Sequence, residues 1–180
     1  MAATNPIVKP TNRVIVHGDP AVYTYLIKTV ANCYPKRLVT RDTTDAQIKA
    51  CGATDVPVGI LGFEQAPSPI QPATIDTIYV VDKDAPVIKP RSGDIYVLHL
   101  ASGQNVTQGA MLVTAAAGEV TAAAALTGLC ATGSATASAV DATRPTVAIS
   151  GDYGVHVVVG YAEESVDASA GAADIMVRWK

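Results

Sequence analysis

Ser92-Gly93-Asp94, followed by the apolar run 95–100, repeats an order that the chain has already used in His17-Gly18-Asp19, followed by the run 22–27. A Gly-Asp pair is typical of a tight turn, and the β-branched and aromatic residues after it are typical of a strand. The stretch therefore predicts one turn-and-strand unit that is used twice.

Later positions extend the match. Gly160 precedes Asp174 by 14 positions, the spacing that also separates Gly62 from Asp76. Matching positions lie about 75 to 98 residues apart. This separation indicates a duplicated small domain rather than the shorter units of a solenoid.

The composition favours short strands joined by tight turns. Hydrophobic residues make up 49% of the 180 residues, and charged residues make up 16%, against about 25% in an ordinary soluble domain. The apolar content comes mainly from Ala, Val and Ile, with 14 Gly and 11 Pro as breakers. We therefore predict a mostly β protein with little helix, built from two tandem small β-barrel or β-sandwich modules related by internal duplication.

The predicted boundaries follow from the breakers. We expect an extended N-terminal arm over 1–12, a first β module over 13–84 and a second β module over 85–180, with an Ala/Thr/Ser/Gly insertion at 121–143. Residues 82–90 are the expected linker. The expected strands of the first module are 14–16, 22–27, 38–40, 48–50, 56–63 and a closing strand at 75–81. In the second module we expect strands at 94–100 and 110–114, a turn at 104–108, and a strand that starts at 119–120. Residues 44–50 are also compatible with a turn or two of helix.

The charge balance argues against two classes of partner. A net charge of −3 and a pI near 5.5 do not provide the basic face that nonspecific nucleic-acid binding needs. The N-terminal sequence does not resemble a signal peptide, and no apolar run approaches the roughly 20 residues that span a bilayer. We expect no nucleic-acid partner, no membrane partner and synthesis in a host cytoplasm. Cys33, Cys51 and Cys130 lack metal-site spacing and are expected to be small buried thiols.

One cluster invites a hydrolase interpretation. Ser150, Asp152 and His156 lie close in sequence, but no GxSxG turn accompanies them, and such triads are assembled in space rather than along the chain. A turn between two strands is the simpler interpretation. We predict no catalytic, cofactor-binding or metal-binding residues, and no cofactor.

The second copy resembles a known family. The sequence pattern that resembles the family consists of Val106-Thr107-Gln108-Gly109-Ala110, then Ala117-Gly118-Glu119, and then Val159-Gly160-Tyr161-Ala162-Glu163. It is similar to the capsid decoration (cement) proteins of tailed viruses, in which short strands build a small β-barrel. The first copy departs from the pattern at Cys33-Tyr34-Pro35-Lys36.

The resemblance implies a non-enzymatic virion structural protein that binds the outside of the assembled capsid and stabilises it. It further implies the major capsid protein as partner, self-association as a homotrimer, and location on the capsid surface.

The contacts with partners are expected where the two copies differ, in the arm and in the insertion. The candidate contact residues are Asn5, Pro6, Ile7, Val8, Leu126 and Leu129. Few aromatic anchors are available, so affinity would come from many small contacts repeated over a symmetric lattice.

Two other functions remain open at this stage. A viral surface adhesin or glycan-binding module would need an exposed aromatic platform, for which Tyr153, Tyr161 and Trp179 are the candidates. Another virion component, such as a tail or baseplate protein, would share the same composition.

Overall fold

The computed structural model describes residues 8–28, 31–42, 47–123 and 157–180, together with the backbone of residues 127–129 and 148–150. Its elements are fifteen short strands and one 3₁₀ turn, Ala116–Gly118. The strands are β1 Ile15–His17, β2 Ala21–Ile27, β3 Leu38–Arg41, β4 Gln47–Ala50, β5 Gly59–Leu61, β6 Asp84–Lys89, β7 Ile95–Leu100, β8 Gln104–Val106, β9 Met111–Thr114, β10 Val120–Ala122, β11 Thr127–Leu129, β12 Ala148–Ser150, β13 Val158–Ala162, β14 Val166–Ala168 and β15 Ala173–Trp179.

The first module is a closed five-stranded barrel. Its strands follow the order β2-β4-β3-β5-β6, and β6 pairs back with β2. The β2–β4 pair is parallel and the other four pairs are antiparallel. Successive side chains of these short strands point alternately to the inside and the outside of the barrel, so the apolar side chains on the inner face fill its interior.

The second module closes in the same way. The strands β7, β10, β9, β13 and β15 form a ring in which β15 returns to β7. Again only one pair, β7–β10, is parallel. The two barrels therefore share both strand order and strand sense, which confirms the mostly β fold with two β-barrel modules.

The register corrects how the two copies align late in the sequence. Asp84 lies opposite Leu26 at the start of β6, as Asp174 lies opposite His99 in β15. The structural counterpart of Asp174 is thus Asp84 and not Asp76. By the same comparison Gly59, and not Gly62, matches Gly160, because Ile60, which follows Gly59, lies opposite Ile88, and Tyr161, which follows Gly160, lies opposite Arg178, the counterpart of Ile88.

The predicted linker at 82–90 is wrong over most of its length. Residues 84–89 form β6, which closes the first barrel, so the predicted boundary at 84/85 falls at the first residue of that strand. Proline is uncommon inside strands, yet Pro86 lies within β6, opposite Thr24. The backbone N–H and C=O groups of Tyr25 point towards β6, and those of Thr24 point away from it. The β2–β6 pairing therefore requires no N–H from Pro86, which lies opposite Thr24.

The predicted closing strand at 75–81 is also wrong, since it is irregular. Its Tyr79 is buried in the apolar core of the first barrel, and the Tyr79 hydroxyl donates to the Gly62 carbonyl at 2.7 Å. Burial raises the pKa of Tyr79. The segment 56–63 contributes only the three residues of β5.

Two further strands differ from expectation. The strand predicted at 14–16 exists as β1, but it pairs with β7 of the second barrel. Residues 104–106, predicted as part of a turn, form β8 and pair with β14. The helical alternative for 44–50 is wrong over 47–50, which form β4. Within the insertion, β11 pairs antiparallel with β12, which lies beyond residue 143; residues 124–126 and 130–143 of the insertion lie outside the described part of the chain.

The barrels share an apolar core at their junction. The interior of the second barrel, including Tyr96 and Leu98, is in one cluster with Leu38, Ile60 and Ile88 from the outer face of the first barrel. A separate cluster around Ile27, Ile48 and Tyr79 fills the first barrel. Burial of apolar area is the main stabilising contribution in such a junction.

Candidate functional site

A buried lysine lies at the junction of the two barrels. Lys36 precedes β3, adopts a positive φ of 67° and is 3% exposed. Its N–H donates to the Leu61 carbonyl at 3.0 Å, and its carbonyl accepts from the His99 N–H at 3.3 Å. The backbone of this residue therefore links β5 of the first barrel to β7 of the second.

The side chain of Lys36 ends in a cluster of charged groups. Its Nζ lies 2.5 Å from Asp174 Oδ2 and 3.3 Å from Asp76 Oδ1. The other carboxylate oxygen, Asp174 Oδ1, accepts from His99 Nδ1 at 3.1 Å. Burial acts to raise the pKa of Asp174, but the hydrogen bonds from His99 and Lys36 and the lysine charge outweigh it, and the pKa lies below its ordinary value.

A small cavity adjoins this cluster. It measures about 130 Å³ and is lined by residues 34–37 with Ile75, Asp76 and His99. Pockets for small organic ligands measure roughly 300–1,000 Å³, and the lysine charge here is already matched by two carboxylates. The arrangement is suited to holding the barrels in one orientation rather than to binding a substrate.

A second group of polar contacts supports the junction. Arg37 Nη1 donates to the Ala117 carbonyl at 2.7 Å and lies 2.9 Å from Glu119 Oε1. The Gly118 N–H donates to the Cys51 carbonyl at 2.8 Å. Gly118 has a φ of 73°, and a Cβ there would lie 2.5 Å from the Leu38 carbonyl oxygen, so only glycine fits this approach.

An exposed apolar pair lies on the outer surface of the second barrel. Met111 of β9 pairs with Tyr161 of β13, and the two side chains are 42% and 40% exposed. Their neighbours Leu112 and Ala162 are buried in the barrel. The pair forms a small exposed apolar surface, bordered on one side by Arg178, which lies opposite Tyr161 on β15.

Of the predicted contact residues, Val8 is described and is 80% exposed. It precedes Lys9, whose Nζ donates to the Asp174 carbonyl at 2.8 Å and lies 2.9 Å from Glu164 Oε1. Asn5, Pro6, Ile7 and Leu126 lie outside the described residues. Leu129 ends β11, where only the backbone is described, so the prediction for these residues stays untested.

The hydrolase candidates are not brought together in the described part of the chain. Ser150 ends β12, where only the backbone is described, and Asp152 and His156 lie outside it. The described residues contain no group of three or more His, Cys, Asp or Glu placed to hold a metal ion. No helix among these residues is long and apolar enough to cross a membrane.

The candidate aromatic platform is divided between two faces of the sheet. Trp179 pairs with Gly160, the residue next to Tyr161, so the Trp179 and Tyr161 side chains point to opposite faces. Trp179 packs edge-on against the buried Tyr96, with ring centroids 6.4 Å apart. Tyr153 lies outside the described residues.

Two features of the site escaped sequence reasoning. Lys36 and Asp174 are 138 residues apart, and no local spacing connects them. Asp174 stood out as a repeated aspartate, and Lys36 stood out where the first copy departs from the resemblance, but only the packing of the barrels joins them. The Met111–Tyr161 pair depends likewise on the register of β9 and β13.

The chain was compared with protein-family models and with curated proteins, and neither comparison finds a match.

Proposed function

We propose that the protein is a non-enzymatic virion structural protein that binds the outside of an assembled capsid and stabilises it. The observation that carries this proposal is the exposed Met111–Tyr161 pair on a rigid double barrel. Together with the low charge and the resemblance of the second copy to capsid decoration proteins, it supports contact with other protein surfaces.

The joined barrels fit a stabilising role. Partly buried ion pairs such as Lys36 with Asp174 and Arg37 with Glu119 hold the two modules in one orientation. A rigid body with two similar modules can touch two neighbouring capsid subunits at once, and restraining their separation strengthens the shell. Repetition over the lattice adds avidity that a single contact lacks. The major capsid protein is the proposed partner, and the homotrimer is the proposed assembly.

The test uses heads of the source virus that lack the protein. Purified protein is expected to bind them saturably and to raise their resistance to heat or osmotic shock. Met111→Lys is expected to weaken binding at least about tenfold, because a buried contact would then contain an unpaired charge. Val56→Lys, at a 68% exposed position of the first barrel, is the control for added charge.

A glycan-binding adhesin is the second candidate, and of the three rings considered for its aromatic platform Tyr161 is the one that is described as exposed. Saturable binding to a glycan array without binding to heads would support the adhesin.

Deletion of residues 2–7, which leaves Lys9 in place, tests the N-terminal arm. Weaker binding of the folded variant to heads would support a contact by the arm, and unchanged binding would exclude that contact.

A further inference from the structure

Among the described residues, one edge of the first barrel is unpaired where the equivalent edge of the second barrel is paired. In the second barrel β7 pairs with β10 only at Leu100, and its other half pairs with β1 through Tyr96 and Ile95. In the first barrel β2 pairs with β4 only at Leu26 and Ile27. No strand of the described residues pairs with the remaining half of this β2 edge.

The matching positions are identified by register. Val22 lies opposite Ile88 and Tyr23 opposite Val87, as Ile95 lies opposite Arg178 and Tyr96 opposite Val177. Val22 and Tyr23 therefore occupy in the first barrel the places that Ile95 and Tyr96 occupy in the second. Ile95 and Tyr96 are 3% and 0% exposed, whereas Val22 and Tyr23 are 41% and 53% exposed.

The backbone groups of this edge point outward. Ile27 donates its N–H towards β6, to Lys83, and Lys28 donates towards β4, to Ile48. Because the direction alternates along a strand, the N–H and C=O groups of Val22 and Thr24 face away from β6. In the second barrel the counterpart of Thr24 is Val97, whose N–H donates to the Val14 carbonyl at 2.8 Å.

We propose that this open edge, residues 21–25 of β2, pairs antiparallel with the same edge of a second copy of the chain. The molecule already covers the equivalent edge of β7 with an antiparallel strand of its own. Edge strands commonly block pairing with charged side chains or prolines. Residues 21–25 contain neither. Two copies of an uncharged run meet without like-charge repulsion.

The outward groups define the register. Val22 of each copy exchanges two hydrogen bonds with Thr24 of the other, and Tyr23 lies on the two-fold axis opposite its own copy. This is a non-hydrogen-bonded pair, in which the Cα atoms are about 4.5 Å apart. Such a contact closes on itself, so it is separate from the threefold association expected from the resemblance, which needs two different surfaces.

Disulfide trapping of the full chain tests the register. Tyr23→Cys places two thiols within the Cα separation of about 4.4–6.8 Å that a disulfide spans, and oxidation is expected to give a covalent dimer that a reductant separates. Val56→Cys is the control at an exposed position off this edge. Crosslinking of Tyr23→Cys no greater than that of Val56→Cys overturns the proposal.

Sedimentation of the unmodified chain and of two Thr24 variants tests the hydrogen bonds. The unmodified chain is expected to dimerise with increasing concentration. Thr24→Pro, which removes the outward N–H, is expected to weaken dimerisation at least tenfold, and Thr24→Val, which keeps it, is expected to retain dimerisation. A monomer at every concentration, or equal association of the two variants, overturns the proposal. Neither experiment uses capsids, so a failure here is separate from a failure of the proposed function.

Discussion

Lys36 of the first barrel and Asp174 of the second form an ion pair in which the lysine is 3% exposed and the aspartate 28% exposed. Neither charge is expected in an apolar junction unless the other is present. The pair therefore connects the two copies of the fold. Near it, Leu38 and Ile60 on the outer face of the first barrel pack against the apolar core of the second barrel.

Removing the lysine charge tests the strength of this link. Lys36→Met keeps the apolar stem but leaves Asp174 without its cation, and it is expected to lower the free energy of unfolding by about 3 kcal/mol. Chemical denaturation measures the change. Lys28→Met is the control, since its pair with Asp82 is 53% and 64% exposed and is expected to contribute less than about 1 kcal/mol. Equal effects would show that the junction does not depend on Lys36.

The pH dependence of stability follows from Asp174. Its pKa is lowered in the folded protein from the ordinary 3.8, so the unfolded chain takes up a proton at higher pH than the folded chain does. The stabilisation is therefore complete above about pH 4 and is lost as pH falls through the folded pKa. Urea unfolding over a pH series is expected to show a shallower acid loss for Asp174→Asn than for the unmodified protein. Asp76→Asn, at an 80% exposed side chain, should retain the acid loss, and an equal slope in all three proteins contradicts the assignment.

Gly160 tests the barrel geometry of the second copy. A Cβ at this position would overlap the carbonyl oxygen of Arg178 on the neighbouring strand, so Gly160→Ala is expected to cost about 1–3 kcal/mol or more through backbone displacement. Gly171→Ala is the matched control, because a Cβ there meets nothing within 4 Å. Thermal melts of the two variants should differ clearly; a melting temperature for Gly160→Ala as high as that for Gly171→Ala would contradict the close approach of β13 and β15.

The two described cysteines are expected to be inert in the folded protein. Burial raises the pKa of Cys33 to about 11 and that of Cys51 to about 12, and the thiolate is the reactive form. Alkylation at pH 8 followed by peptide mass spectrometry is expected to leave both unmodified until guanidinium unfolds the chain. Rapid labelling of either one before unfolding would contradict its burial. Cys130 lies outside the described residues.

The repeat predicted the architecture because turns and strands are determined largely by residues that are neighbours in the sequence. Gly-Asp turns and the runs 22–27 and 95–100 mark β2 and β7 closely. The strand β6, which was not predicted, contains Pro86. A proline is tolerated there because the N–H and C=O groups of Thr24, the residue opposite, point away from β6, and this depends on strand pairing rather than on local sequence. The segment 75–81 resembles a strand because residues 78–81 are four consecutive apolar residues, but the segment is irregular and its Tyr79 is buried inside the first barrel.

The junction was beyond sequence reasoning for a related reason. The two copies keep similar barrels, yet each uses its outer surface differently. Leu38 and Ile60 are buried against the second barrel, whereas Met111 and Tyr161, on the outer face of that barrel, are exposed. Such differences arise from the packing of one copy on the other, and neither copy alone encodes them.

The most direct test of the proposed function is cosedimentation of the purified protein with heads of its source virus that lack it. We predict saturable binding at a fixed number of sites per head, together with increased resistance of the heads to heat. Heads that bind none of the folded protein at saturating concentration, with unchanged heat resistance, would contradict the account.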